Sequence, residues 1–299
     1  MKRFVVWGGR ESLDSIRHVL RHYFDSASKL GYHAVWLKDE PASASLLSAG
    51  DTILAVDVAA HHLPFVPDAR YVLHNFDGSV GLCQALEETP QNLLRLQVWT
   101  NDATGEEWDV CRQFDRAART LFQPWGTDLL AGEFQQPIFN AESNRVAFVG
   151  AVWADQWKGV ELGNEAVIDE LKVACLSRGL VFEHRTHIPD DANVRVVRAA
   201  RLAPALAGQW QCDKGYVPCR ALKNASYGAL CVSNVPSVKR IMGAAAVEGE
   251  SVEELVEGAL GLSRGTYLNL VREQQRVVAR FTYRESLASI ERAFEEIAA

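Results

Sequence analysis

Two short apolar runs, each closed by glycine, set what this chain can fold into: RFVVWGG at residues 3–9 and RVAFVG at residues 145–150. A run that is apolar at every position, not at alternate ones, suits a strand buried on both faces. That arrangement belongs to a parallel sheet covered by helices on both sides. After the first run, Ile16, Leu20, Tyr23 and Phe24 recur at helical spacing until Gly31. Strands are then predicted at 33–37, 51–59, 69–76, 94–99 and 120–123. After the second run the pattern restarts. A helix is predicted over 164–178, with Val167, Ile168, Leu171, Ala174 and Cys175 facing inward and Gly179 as its stop. A strand at 180–184, a short helix at 193–202 and a buried strand at 229–233 follow.

The chain thus reads as two successive Rossmann-like α/β units. The polar stretch 133–144 carries no apolar period and places a boundary between them. The expected division is an N-terminal domain over 1–138, a second over 139–282, and a closing helix over 283–299. Along that helix Tyr283, Leu287, Ile290, Phe294 and Ile297 form one apolar stripe. A length of 299 residues agrees with two domains. A net charge of −7 speaks against a general nucleic-acid binder, so no nucleic-acid partner is expected. Six cysteines without a CxxC pair suit a reduced, cytoplasmic protein. No apolar run reaches the ~18 residues of a membrane span, so no transmembrane segment is expected.

The stretch GYVPCRALKNASYGAL, residues 215–230, reads as a loop and a short helix with Pro218 at its start and Gly228 just past its end. Arg220, Lys223, Asn224 and Tyr227 share one face of that helix, while Ala221, Leu222 and Ala225 look toward the sheet. Cations in a first helical turn oppose the macrodipole, which favours acids there. A bound anion, a phosphate above all, would account for them; the alternative is that both side chains simply reach water. In open α/β sheets ligands gather at the carboxyl ends of the strands. Gly150, Trp153, Lys158, His184, Arg185, His187, Gln209, Gln211 and Tyr216 are predicted near those ends, beside Arg220, Lys223 and Asn224. The expected ligand of such a cationic, amide-rich pocket is a small molecule containing a diphosphate. In the first domain, HNFDG at 74–78 offers His74 and Asp77 as a general base for an acceptor hydroxyl, with a plain turn at Asp77 as the alternative. The chain has no Asp-x-Asp pair after a strand, no HExxH, no GxSxG, no P-loop and no GxGxxG. No metal and no cofactor are therefore expected, the nucleotide being a substrate.

The element order, the opening RVAFVG of the second unit and the helix–strand RALKNASYGALCVSN resemble a GT-B glycosyltransferase. More narrowly, they are similar to the bacterial group related to spore-maturation glycosyltransferases. Arg220 and Gly228 match that group's arginine and glycine, while Lys223 stands where its acid would be. YVPCRAL also resembles the donor motif of GT-B fucosyltransferases through Tyr216 and Arg220, with Cys219 in place of a glutamate. The ending QQRVVARFTYRESLASI is similar to the C-terminal helix of the first group. The resemblance implies two Rossmann-like domains facing a cleft, with the C-terminal helix crossing back. It implies hexosyl transfer from a nucleotide-sugar donor to a glycan, lipid-linked or small-molecule acceptor, as in polysaccharide biosynthesis. It also implies catalysis without a metal ion, the diphosphate being held by Arg220, Lys223 and a helix N-terminus. A sugar-nucleotide epimerase or a non-catalytic nucleotide-binding module on the same architecture are the alternatives.

Overall fold

The computed structural model describes residues 2–9, 15–56, 60–75, 92–157 and 160–299. The chain divides into two compact units, one of Met1–Gln123 with Tyr283–Ala299 and one of Pro124–Thr282. The first holds an eight-stranded sheet: β1 (Arg3–Trp7), β2 (His33–Leu37), β3 (Thr52–Val56), β4 (Arg70–Asn75), β5 (Leu93–Gln97), β6 (Glu106–Asp109), β7 (Arg112–Asp115) and β8 (Thr120–Phe122). Their order is β2-β1-β3-β4-β5-β8-β7-β6. From β2 to β8 every pairing is parallel, as the continuous apolar runs require.

Both faces of this sheet are covered. Val5, Trp7, Ile53, Ala55, Tyr71 and Leu73 form one buried cluster. The alternate residues Phe4, Val6, Leu54, Val72 and Leu94 are buried on the other side. The helix Ser15–Lys29 packs there with the closing helix Tyr283–Ala298, Tyr23 meeting Tyr283 edge-on at 4.8 Å. Gln123 at the end of β8 donates to the Tyr23 hydroxyl at 3.3 Å. On the closing helix Glu291 accepts from Lys2 at 2.8 Å and from Arg70 at 3.0 Å. The hairpin β6–β7 is antiparallel and was not foreseen. Its strands carry Glu106, Glu107, Asp109, Arg112 and Asp115, and no apolar run marks an edge hairpin of that composition.

In the second unit β9 (Arg145–Val149) pairs in parallel with β12 (Val181–Arg185). Between them in sequence lies a two-residue hairpin of β10 (Gln156–Trp157) and β11 (Val160–Glu161). On the far side of β9, Ala147 donates to Leu202 at 2.9 Å, and Ala205 in turn donates to Val232 at 2.7 Å. Residues 229–233 are buried as expected but form no strand. Side chains take the bonds a neighbouring strand would make: Tyr267 accepts from the Leu230 amide, and fully buried Gln274 engages both the N–H and the C=O of Cys231.

The division falls at Gln123 and not at 138. The intervening segment is bonded into the second unit through Thr127 N to Phe281 O at 2.9 Å, Gln135 N to Ser226 O at 2.8 Å and Ile138 N to Gly228 O at 2.9 Å. Among the described residues, no helix is long and apolar enough to cross a membrane.

Candidate functional site

The site is built where β9 ends. Gly150 follows it with φ +153°, its N–H donating to Arg185 O at 2.9 Å and its carbonyl 2.8 Å from His184 Nε2. Across from it stands the helix Cys219–Ser226, entered through Pro218. Its second residue, Arg220, lays its guanidinium over the Phe148 ring, 4.5 Å from the centroid. A Cβ on Gly150 would lie 2.7 Å from Arg220 Nη1, so glycine here makes room for the cation. Among the described residues, that Nη1 is buried and has no hydrogen-bond partner. Burial pushes the arginine below its usual range, with Tyr216 and Cys219 acting in the opposite sense. An unmatched buried polar group costs stability, which marks this guanidinium as a candidate for matching a ligand. Tyr216, buried against Trp125 with ring centroids 5.7 Å apart, backs the same turn.

The loop after β9 is shaped by Asn164, whose side chain accepts from Trp153 N and donates to Ala151 O, both at 3.0 Å. Trp153 thus belongs to a fixed turn near Gly150. Beyond β12, Arg185 pairs with Glu183 at 2.9 Å, and His187 adopts a left-handed φ of +53°, unusual for a residue with a Cβ. Lys158 and Asp77 lie outside the described residues.

Three expectations change on the structure. The face shared by Arg220, Lys223, Asn224 and Tyr227 does not open onto a ligand along its length. Lys223 is 3% exposed, its ammonium lying 3.9 Å from Asp128 and 3.7 Å from Asp190. Asn224 donates to Ala203 O at 2.6 Å, and the Tyr227 hydroxyl lies 2.8 Å from both Asp128 carboxylate oxygens. Protein groups occupy all three, whereas the Arg220 guanidinium lies over the Phe148 ring with its Nη1 unmatched among the described residues. Second, Gln209 and Gln211 are engaged locally, Gln209 with Asp213 at 2.7 Å and Gln211 with Gly208 N at 3.3 Å. Gln209 lines a cavity of about 420 Å³ together with Gly163, Asn234 and Ser251, and Arg220 does not reach it. Third, His74 sits on β4 at 2% exposure. Burial lowers its pKa to about 4, which suits a neutral structural imidazole and not a base for an acceptor hydroxyl.

The His74 environment has a measurable consequence. A histidine that titrates near 4 when folded and near 6.5 when unfolded binds fewer protons in the native state between those values. Stability is therefore lost as pH falls from 6.5 to 4, by about 3 kcal/mol in all, and the loss levels off below. Urea unfolding at pH 7 and pH 4.5 should show this difference in the wild type and a smaller one in His74→Gln. Equal pH dependence in the two would overturn it.

Neither a protein-family model nor a curated protein sequence matches this chain. Among solved structures, it is similar to an alpha-glucosyltransferase in complex with UDP and a 13-mer DNA containing an HMU base, with a TM-score of 0.57 and 11% identity over 99% of both chains. It is also similar to an alpha-glucosyltransferase in complex with UDP and a 13-mer DNA containing a central A:G mismatch. That match has a TM-score of 0.62 and 12% identity over 97% of this chain and 99% of the other. At this identity the likeness establishes the fold, an α/β architecture of glycosyltransferase type. Nothing in it singles out the spore-maturation group. The expectation of no nucleic-acid partner is overturned, because both similar structures hold DNA. The reason is physical: net charge is a sum over the whole surface and does not fix where a local cationic face lies.

Proposed function

We propose that this chain is a glycosyltransferase that moves a hexosyl group from a nucleoside diphosphate sugar to an acceptor hydroxyl. The buried, unpartnered Nη1 of Arg220 beside Gly150 carries the reading, at the carboxyl end of β9 in a fold shared with UDP-bound alpha-glucosyltransferases. When the glycosidic bond to the donor breaks, negative charge grows on the leaving diphosphate. Arg220 and the positive end of the Cys219–Ser226 helix neutralise that charge without reorganising. Gly150 lets the phosphates approach the backbone. The missing Asp-x-Asp pair favours this metal-independent form of leaving-group stabilisation. Lys223, engaged by Asp128 and Asp190, holds the helix in place and does not share the diphosphate.

On the acceptor side, Asp77 is the carboxylate that the sequence offers as base. The acceptor class is wider than glycans, lipid-linked sugars and small molecules: with DNA in both similar structures, a hydroxyl-bearing base in DNA joins it. The narrower likeness to the spore-maturation group rests on Arg220 and Gly228, and the donor base is open to direct measurement.

A thermal-shift panel of UDP, GDP, ADP, TDP and CMP with their sugars tests the donor half. A ligand at 100 times its Kd should stabilise by about 2.7 kcal/mol. The sugar nucleotide that shifts the protein is then offered with glycan and with HMU-containing DNA acceptors, and labelled sugar should appear in one of them. No shift anywhere in the panel overturns the proposal. Conversion of the free sugar nucleotide to its epimer without an acceptor would assign the epimerase reading instead.

A further inference from the structure

β12 is an edge strand of the second unit: it pairs with β9 on one side and, among the described residues, with no strand on the other. The direction of its backbone groups follows from that pairing. The Val181 N–H donates to Asn144 O at 2.8 Å, and the Arg185 carbonyl accepts from Gly150 N at 2.9 Å. Residues 181, 183 and 185 therefore turn their backbone groups to β9, while Phe182 and His184 turn theirs outward. Local structure limits this open edge at both ends. The Leu180 N–H is taken by Cys175 O at 2.9 Å, and His187 leaves the extended path with φ +53°. The run between them that can accept a new strand is 182–186, with His184 at its midpoint.

Apolar surface lies beside that edge. On the helix Glu165–Leu176, Lys172 stands over the Phe182 ring at 6.0 Å, and Leu176 follows one turn later on the same flank. Leu176 is 81% exposed, Val173 67% and Val181 52%. Of the large apolar side chains exposed among the described residues, only Leu30 and Leu46 lie elsewhere. An open edge with apolar surface beside it invites another strand, and proteins that must stay apart block such edges with charge. The charges of β12 favour one partner in particular, a second copy of this chain. Glu183 and Arg185 share a face of the strand, 2.9 Å apart. When β12 meets its own copy antiparallel about a twofold axis through His184, Glu183 stands opposite the partner's Arg185 and Arg185 opposite the partner's Glu183. The same register sets Phe182 against the partner's Thr186, so the outward run is matched along its length. A twofold axis through Glu183 would oppose two carboxylates instead. Opposite charges across a strand pair stabilise it and like charges destabilise it, so backbone and charge select the same register.

We propose that this chain forms a twofold dimer through β12, two copies joining their second units edge to edge with the Leu176 flanks side by side. Such an isologous contact uses the same patch on both copies and closes the open edge of each. Antiparallel pairing points the two carboxyl ends of β12, each beside its own Gly150, in opposite directions. The interface does not depend on what the Arg220 site binds.

Analytical ultracentrifugation of the full chain from about 1 to about 200 µM should show a monomer–dimer equilibrium. Leu176→Lys and Glu183→Arg should each weaken the dimer by about tenfold or more, because each change enters a twofold contact twice. A lysine at 176 suits the helix C-terminus, so its effect is on association and not on the fold. The exchange variant E183R/R185E restores opposite charges across the axis and should return to within about threefold of the wild-type affinity. Hydrogen exchange gives a readout that a change in stability alone does not move. The Phe182 and His184 amides should be protected at high concentration and exchange quickly at low, while those of Val181 and Glu183, bonded to β9, stay protected at both. A protein that stays monomeric over the whole range overturns the proposal. So does a dimer that both single variants leave intact, one that forms without protecting Phe182 and His184, or an exchange variant as weak as Glu183→Arg.

Discussion

Replacing Arg220 by methionine is expected to weaken nucleoside diphosphate binding by about 100-fold and to leave the protein as stable as before, or more so. The two effects share one cause. The guanidinium lies over Phe148 with Nη1 buried and without a hydrogen-bond partner, and burial lowers its pKa. An unmatched buried polar group costs roughly 1–3 kcal/mol, more when charged. Methionine keeps an unbranched apolar stem over the ring and deletes the unmatched charge, so folding loses little and regains part of that cost. Binding loses a charge-assisted contact in a water-poor site, and 2.7 kcal/mol corresponds to about 100-fold. Thermal unfolding without ligand and calorimetry with UDP check both halves. A variant with a melting temperature several degrees lower and unchanged affinity would make Arg220 a packing residue. Gly150→Ala should reach the same binding defect from the other side, since its Cβ would stand 2.7 Å from Nη1.

That site was legible in the sequence for local reasons. Continuous apolar runs marked β1, β3, β4 and β9 because those strands are covered on both faces, and Pro218 and Gly228 bracketed the Cys219–Ser226 helix through backbone geometry alone. A cation opposing a helix dipole also needs no tertiary knowledge. The rest turned on partners distant in the chain. Helical spacing put Lys223 on the same face as Arg220, yet Asp128 and Asp190 decide that Lys223 is buried and engaged. The segment 133–144 is polar enough to read as a linker, but Gln135 and Ile138 bond to Ser226 and Gly228, which places it within the second unit. His74 had a suitable position at a strand end, and only its burial in the sheet, with the resulting pKa, argues against a proton-transfer role.

Gly228 ties the helix that carries Arg220 to that segment, and Gly228→Ala is expected to destabilise the protein by about 3–5 kcal/mol. Gly228 has φ +83°, just past the helix end, where its N–H bonds to Ala225 O at 3.0 Å. A left-handed conformation costs an L-residue roughly 1–2 kcal/mol. The larger effect is steric, because a Cβ would lie 2.3 Å from the Gln136 carbonyl oxygen and 2.9 Å from Arg198 Nη1. Arg198 itself clasps this junction, donating to Gln136 O at 2.9 Å and to Tyr227 O at 2.7 Å. Relieving the clash moves backbone and strains the Gln135–Ser226 and Ile138–Gly228 bonds, each worth about 1 kcal/mol. With whole-domain stabilities near 5–15 kcal/mol, such a loss is a large fraction of the total. Gly179→Ala is the control: its φ is +65° and nothing lies within 4 Å of the added Cβ, so only the conformational cost of about 1–2 kcal/mol applies. Urea unfolding of both variants, with unchanged m, measures the difference as the contribution of the 135–138 contact. If Gly228→Ala loses no more than Gly179→Ala, that segment does not hold the Arg220 helix, and nucleotide affinity should then be unaffected by its removal.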